Sequence, residues 1–152
     1  MRKSEISSIV FAILLISFLL PFLQLSCGNQ ELKTVSGIQM ITGFKMEQPF
    51  AEKDKPRIKK IKGDPFTRLA FLLGIIGLVL SFLKGRFISK ITALIGFLGA
   101  GTMLFLKTKI DQKIAETGAG LLAVNYKIGF WLVLVLFMVI FLINLLLPEK
   151  QE

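Results

Sequence analysis

One cysteine, Cys27, no histidine, and the carboxylates Asp64, Asp111 and Glu116 beside long apolar runs are the side chains from which this chain could build chemistry. Without histidine no Ser-His-Asp or Cys-His device can form. A single thiol with no imidazole leaves no donor set for zinc or haem. Nor can Cys27 close a disulfide within the chain. What remains is carboxylate–lysine chemistry at a lipid interface. Asp64 stands directly before Pro65 and suits a helix N-cap. Asp111 and Glu116 belong to a charged stretch whose simpler role is a solvated surface. No pair among the three has a spacing that demands catalysis, so a non-enzymatic protein without cofactor or metal is expected.

The elements that would position these groups are apolar blocks. Of 152 residues, 53% are hydrophobic, and the mean hydropathy is +0.69. The apolar residues gather into runs at 6–25, 66–83, 87–106 and 128–147, nearly free of charge. A soluble bundle would need polar residues on its outer faces every third or fourth position, and these runs lack them. A twenty-residue helix is about 30 Å long, the thickness of bilayer hydrocarbon. The chain is therefore expected to be an all-α membrane protein: one domain, 1–152, with four transmembrane helices. No ionisable residue lies midway through a span. Arg68 and Lys90 sit near span ends, where they can snorkel to the interface. Tyr126 and Trp131 suit an interfacial aromatic belt, and Asn144 is the one strongly polar residue of the last span.

The first run, 6–25, follows Arg2 and Lys3 and carries Pro21 in what would be its last turn. Leu25-Ser26-Cys27 after this run resembles a bacterial lipoprotein signal, in which Cys27 would be lipidated and three spans would remain. Gln24 departs from the leucine usual in such signals. The run also exceeds the roughly 7–15 apolar residues of a cleaved signal. An uncleaved helix is expected, with lipidation as the alternative.

The loops 28–64 and 107–127 fall on one side of such a layout. Residues 30–35 (QELKTV) suit a short strand, and 121–126 (LLAVNY) suits a second that would pair with it. Residues 36–43 suit one helical turn, with Ser36 as N-cap, Ile38 and Ile41 three apart, and Gly43 just past the end. The segment KTKIDQKIAET is expected to extend the third helix into water as far as Gly118. The formal charge of +9 fits juxtamembrane lysines better than nucleic-acid binding in such a chain. Arg57, Lys59, Lys60 and Lys62 form a basic cluster expected to be a solvated face with snorkelling lysines, with anionic-lipid or partner binding as the alternative.

Small residues mark the second and third spans: Gly74, Gly77 and Ser81 in one, Gly96, Gly99, Ala100 and Gly101 in the other. The tight turn Lys84-Gly85-Arg86 makes these spans an antiparallel hairpin, and close helix packing is the natural use of the small faces. A glycine-lined pore is the alternative. Of the nineteen Lys and Arg residues, thirteen fall on the side of the two long loops and six on the side of the N-terminus. The raw count opposes an N-terminus inside. The flanks of the first span favour it, because Arg2 and Lys3 face a loop with only Lys33 and Lys45 in its first twenty residues. Both termini are expected in the cytoplasm.

The first loop, with Pro21-Phe22, Ser26-Cys27-Gly28, Gln30, Ser36-Gly37, Gln39 and Thr42-Gly43, resembles a group of uncharacterised bacterial four-helix membrane proteins. Their loop runs S-C-G-x-Q, S-G-x-Q-L and T-G, with Met40 here in place of Leu. Gly129-Phe130-Trp131-Leu132 after Tyr126 resembles the start of their last helix. The resemblance implies a bacterial inner-membrane location and an extracytoplasmic first loop, but no activity. The layout with a larger first loop is also similar to the claudin-like topology, without the claudin tryptophan and cysteine signature. Cys27, Gln30, Ser36, Gly37, Gln39 and Gly43 become the candidate interaction loop. The expected role is an interaction or accessory subunit with lipid, a like copy or another membrane protein as partner; an oligomeric channel or transporter subunit is the alternative.

Overall fold

The computed structural model describes residues 3–27, 30–47, 58–83, 85–117 and 122–146. In chain order these form α1 (Lys3–Ser17), β1 (Pro21–Cys27), β2 (Gln30–Ser36), α2 (Gly37–Thr42), β3 (Phe44–Glu47), β4 (Ile58–Ile61), α3 (Pro65–Phe82), α4 (Arg86–Thr117), β5 (Leu122–Tyr126) and α5 (Ile128–Leu146). Among the described residues three helices are long and apolar enough to cross a membrane: Pro65–Phe82, Phe87–Lys113 and Ile128–Leu146. The long helices pack in a ring in which α1 touches α3 and α5, and α4 touches the same two.

The helix starts follow local chemistry. Asp64 accepts from the backbone N–H of Thr67 at 2.8 Å and Pro65 opens α3, a cap that satisfies one of the four orphan donors of a helix N-terminus. The third helix continues past its apolar part, as its charged sequence requires, to give 32 residues in one piece.

The first run departs from expectation. Its helix ends at Ser17 instead of continuing to Leu25, leaving 15 residues, or roughly 22 Å. The cause is Pro21. Proline has no N–H for the carbonyl of Ser17, and it pushes Leu20 out of helical geometry. Three tightened bonds close the helix instead: Phe18 N–H to Leu15 O at 3.2 Å, Leu19 N–H to Ile16 O at 2.9 Å and Leu20 N–H to Ser17 O at 3.1 Å. The chain then turns into β1.

The loop region is correspondingly richer than a strand pair. A three-stranded antiparallel sheet has the order β2-β1-β5, and a separate hairpin joins β3 to β4. Residues 122–126 do not pair with 30–35; both strands flank β1, in registers such as Leu25↔Lys33 and Leu25↔Val124. The expected pairing fails because the apolar stretch 21–27 is itself a strand and occupies the place between them.

Sheet and bundle are joined by aromatic rings. Phe18 lies 5.2 Å from Phe22 and 5.2 Å from Phe71; Phe22 meets Phe130 at 6.3 Å, and Phe130 meets Tyr126 at 4.9 Å. Phe18, Phe22 and Phe130 are fully buried, so this run of rings seals β1 onto α3 and α5 where α1 has already ended. Lys127 N–H also donates to Phe22 O at 2.8 Å, fastening the entry of α5 to the central strand.

The small residues of the hairpin serve other partners than each other. Gly74 lies against Leu14 and Leu15, and Gly77 against the ring of Phe11, all on α1. On α4, a Cβ at Gly96 would meet backbone of α5, at 2.8 Å from Phe141 N and 3.0 Å from Phe137 O. Ala100 is buried beside them. A pore lined by the face of Gly96 and Gly99 does not form within this chain, because Phe137, Ile140 and Phe141 of α5 occupy it.

Candidate functional site

Four residues of the candidate interaction loop, Ser36, Gly37, Gln39 and Gly43, converge on α2, whereas Cys27 and Gln30 are partners at the opposite end of the β1–β2 pair. Ser36 accepts from Gln39 N–H at 3.3 Å while its own N–H donates to Gln39 Oε1 at 3.1 Å. This reciprocal cap explains the S-G-x-Q spacing, because only the third helical residue reaches back to the cap. Gly43 follows with φ 91°, a left-handed conformation that glycine adopts without penalty. Gly37 is buried, and a Cβ there would lie 2.8 Å from Phe18 O. The first N–H groups of α2 point at the end of α1: Gly37 N–H to Leu20 O at 3.4 Å and Ile38 N–H to Phe18 O at 3.0 Å. Two sets of unsatisfied helix-terminal groups thus satisfy each other at the end of the shortened helix. The far end of α2 is tied to α3, with Asp64 N–H donating to Met40 O at 2.7 Å and Arg68 Nε to Ile41 O at 2.7 Å. Ser36, Gly37, Gln39 and Gly43 therefore hold a platform together, and Gln39 and Thr42 face outward from it.

A second group joins α4 to β5. Tyr126 Oη donates to Asp111 Oδ1 at 2.6 Å, and Lys107 Nζ lies 3.0 Å from Asp111 Oδ2 and 5.3 Å from the tyrosine ring centroid. Burial, and then the adjoining carboxylate, hold the phenol well above its ordinary pKa. A phenol so placed stays protonated as a donor and makes a poor base. The i,i+4 spacing of Lys107 and Asp111 is legible in the sequence; that Tyr126 completes the group is not, because the contact joins α4 to a strand with no shared periodicity.

The opposite end of the bundle carries a polar cluster that sequence reasoning overlooked. Asn144 of α5 donates through Nδ2 to Ser7 Oγ of α1 at 3.1 Å and accepts at Oδ1 from Ser89 Oγ of α4 at 3.4 Å. Ser8 Oγ donates to Ser81 Oγ of α3 at 3.1 Å. Four helices are tied at one level by hydroxyl and amide groups. The available signal was four serines and an asparagine, each near the same end of an apolar run.

Other sequence candidates are spread apart or lie beyond description. Asp64 is taken up in its cap, also accepting from Thr67 Oγ1 at 3.1 Å. Lys59 and Lys60 lie on β4, and Lys62 is exposed after it. Arg57, Gly28, Lys84 and Gly118 fall outside the described residues, as do the side chains of Cys27, Gln30, Lys59, Lys60 and Glu116. Among the described residues no group of three or more metal-ligating side chains occurs.

Charge is lopsided. At the sheet-bearing end the described side chains include eight Lys or Arg, against Glu31, Asp64 and Asp111. Two of those three carboxylates are already engaged. The described side chains at this end thus carry a net positive charge above an apolar bundle. Comparison of the chain with family models, with curated proteins and with solved structures gives no match.

Proposed function

We propose that the chain is a four-pass protein of a bacterial cytoplasmic membrane, with both termini inside, that acts without catalysis as an interaction or accessory subunit through its sheet-bearing end. The observation that carries this is the placement of β1 between β2 and β5: two strands more than eighty residues apart in sequence join one sheet, braced by the α2 cap and the aromatic rings. Conformational cost paid in folding is not paid again on binding, which is the use of such preorganisation.

Membrane residence is supported by the outer faces. Ile76, Val79, Leu98, Phe105, Val135 and Leu142 are all between 44% and 58% exposed, as lipid-facing residues must be. The shortened α1 is compatible with a fourth crossing. Its broken backbone is satisfied by turn bonds and by α2, and irregular backbone at membrane depth is tolerated where it is satisfied inside protein.

The test is affinity purification from native membrane in mild detergent, comparing the wild type with a variant carrying Thr34→Ala, Gln39→Ala and Lys45→Ala. Gln39 also caps α2, so a second variant with only Thr34→Ala and Lys45→Ala separates surface from fold. A membrane protein retained by the wild type and lost from both variants supports the proposal. Conductance or substrate flux above that of empty vesicles would instead favour a channel or transporter subunit.

A further inference from the structure

At the sheet-bearing end, α3 and α4 meet along a seam. Phe66, at the start of α3, and Phe105, on α4, pair across it with ring centroids 5.1 Å apart. Phe105 is 51% exposed. One turn beyond it, Lys109 lays its ammonium 5.6 Å from the Phe105 centroid and 5.8 Å from that of Phe66, within cation–π range of both. Lys113 follows one turn later on the same helical face. The face therefore changes from aromatic to cationic over two turns, about 11 Å.

Lys109 differs from its neighbour Lys107. The ammonium of Lys107 is answered by Asp111 at 3.0 Å, whereas Lys109 has no ion pair among the described residues. Two rings cover one side of its ammonium, and its three donors remain for a ligand on the other. The nearby helix N-terminus is not the anion site, since the Asp64 carboxylate already occupies it.

We infer that this seam binds the phosphate-bearing headgroup of an anionic phospholipid, with Lys109 as the phosphate ligand and the Phe66–Phe105 pair as the shelf for the glycerol and first acyl carbons. The site is separate from the platform proposed above and does not depend on any protein partner.

Native mass spectrometry of the full chain, released from detergent micelles holding equimolar phosphatidylglycerol and phosphatidylcholine, tests the inference. The wild type retains phosphatidylglycerol in preference. Lys109→Gln lowers that preference about fivefold, the effect of one interfacial cation. Lys109→Arg keeps it, and so does Lys90→Gln at the other end of the bundle. Millimolar inorganic phosphate does not displace the lipid. Equal retention of the two lipids by the wild type overturns the inference, as does an unchanged preference in Lys109→Gln. Displacement by inorganic phosphate would show a free-anion site and overturn the assignment to lipid.

Discussion

Asn144 donates to Ser7 across 3.1 Å although 137 residues separate them in sequence. The bond joins the last helix to the first, and Ser7 is 2% exposed while Asn144 is partly buried. Interhelical hydrogen bonds in membrane proteins average about 0.6 kcal/mol and reach about 1.7. Asn144→Leu is therefore expected to destabilise the chain by about 1 kcal/mol in reversible unfolding from micelles. A cycle with Ser7→Ala is expected to show coupling of the same order. Additive losses would mean that the pair does not act together.

Two glycines of α4 should respond oppositely to alanine. At Gly96 the new methyl meets α5 backbone at 2.8 Å, so α4 and α5 must separate. Gly96→Ala is expected to cost about 1–3 kcal/mol. A Cβ at Gly101 meets nothing within 4 Å, and Gly101→Ala is expected to be neutral or to stabilise by up to about 1 kcal/mol through helix propensity. Thermal unfolding of the two variants in the same detergent checks both signs.

Tyr126 is the sole tyrosine, so its ionisation can be followed by ultraviolet absorption without overlap from another phenol. Its folded pKa is raised, which makes the neutral phenol the form the native state holds. The stabilisation is fully present below about pH 10, the ordinary tyrosine value. It is lost as pH rises above that value and through the raised one. The native chain is expected to resist phenolate formation where a denatured control ionises, and Asp111→Asn is expected to narrow the difference. Identical titration of native and denatured chain would contradict the Tyr126–Asp111 geometry.

The cap of α2 offers a local test. Ser36→Ala removes the acceptor for Gln39 N–H and is expected to cost about 1 kcal/mol. Ser36→Asp, which supplies another capping oxygen, is expected to recover most of it. Limited proteolysis within 37–43 should accelerate in the alanine variant and not in the aspartate one.

Much of this architecture was legible in the chain. The Asp64-Pro65 start of α3, the 32-residue α4 and the Ser36–Gly43 turn follow from capping chemistry and long apolar runs, both local signals. The end of α1 was not legible, because Phe18 to Leu25 is equally apolar whether it continues as helix or enters a buried strand. Without that boundary neither β1 nor the register of β2 and β5 follows from the sequence. The small faces of the hairpin were seen, but small residues say that something approaches closely, not which helix. Nor could spacing show that Ser7, Ser89 and Asn144 meet, since tertiary proximity across the bundle leaves no periodic trace. At the sheet-bearing end, Lys109 is one basic residue among many in the sequence, and only the fold places Phe66 and Phe105 beneath it.

Everything proposed here requires that residues 28–64 and 107–127 emerge on one side of a membrane and residue 84 on the other. Impermeant maleimide labelling of intact cells measures this directly, using Cys27→Ser as background and adding Glu31→Cys, Lys113→Cys or Lys84→Cys singly. The thiols at positions 31 and 113 are predicted to be labelled from outside, and the one at 84 only after permeabilisation. Labelling of 31 and 113 from opposite sides, or of 84 from the same side as both, would contradict the account.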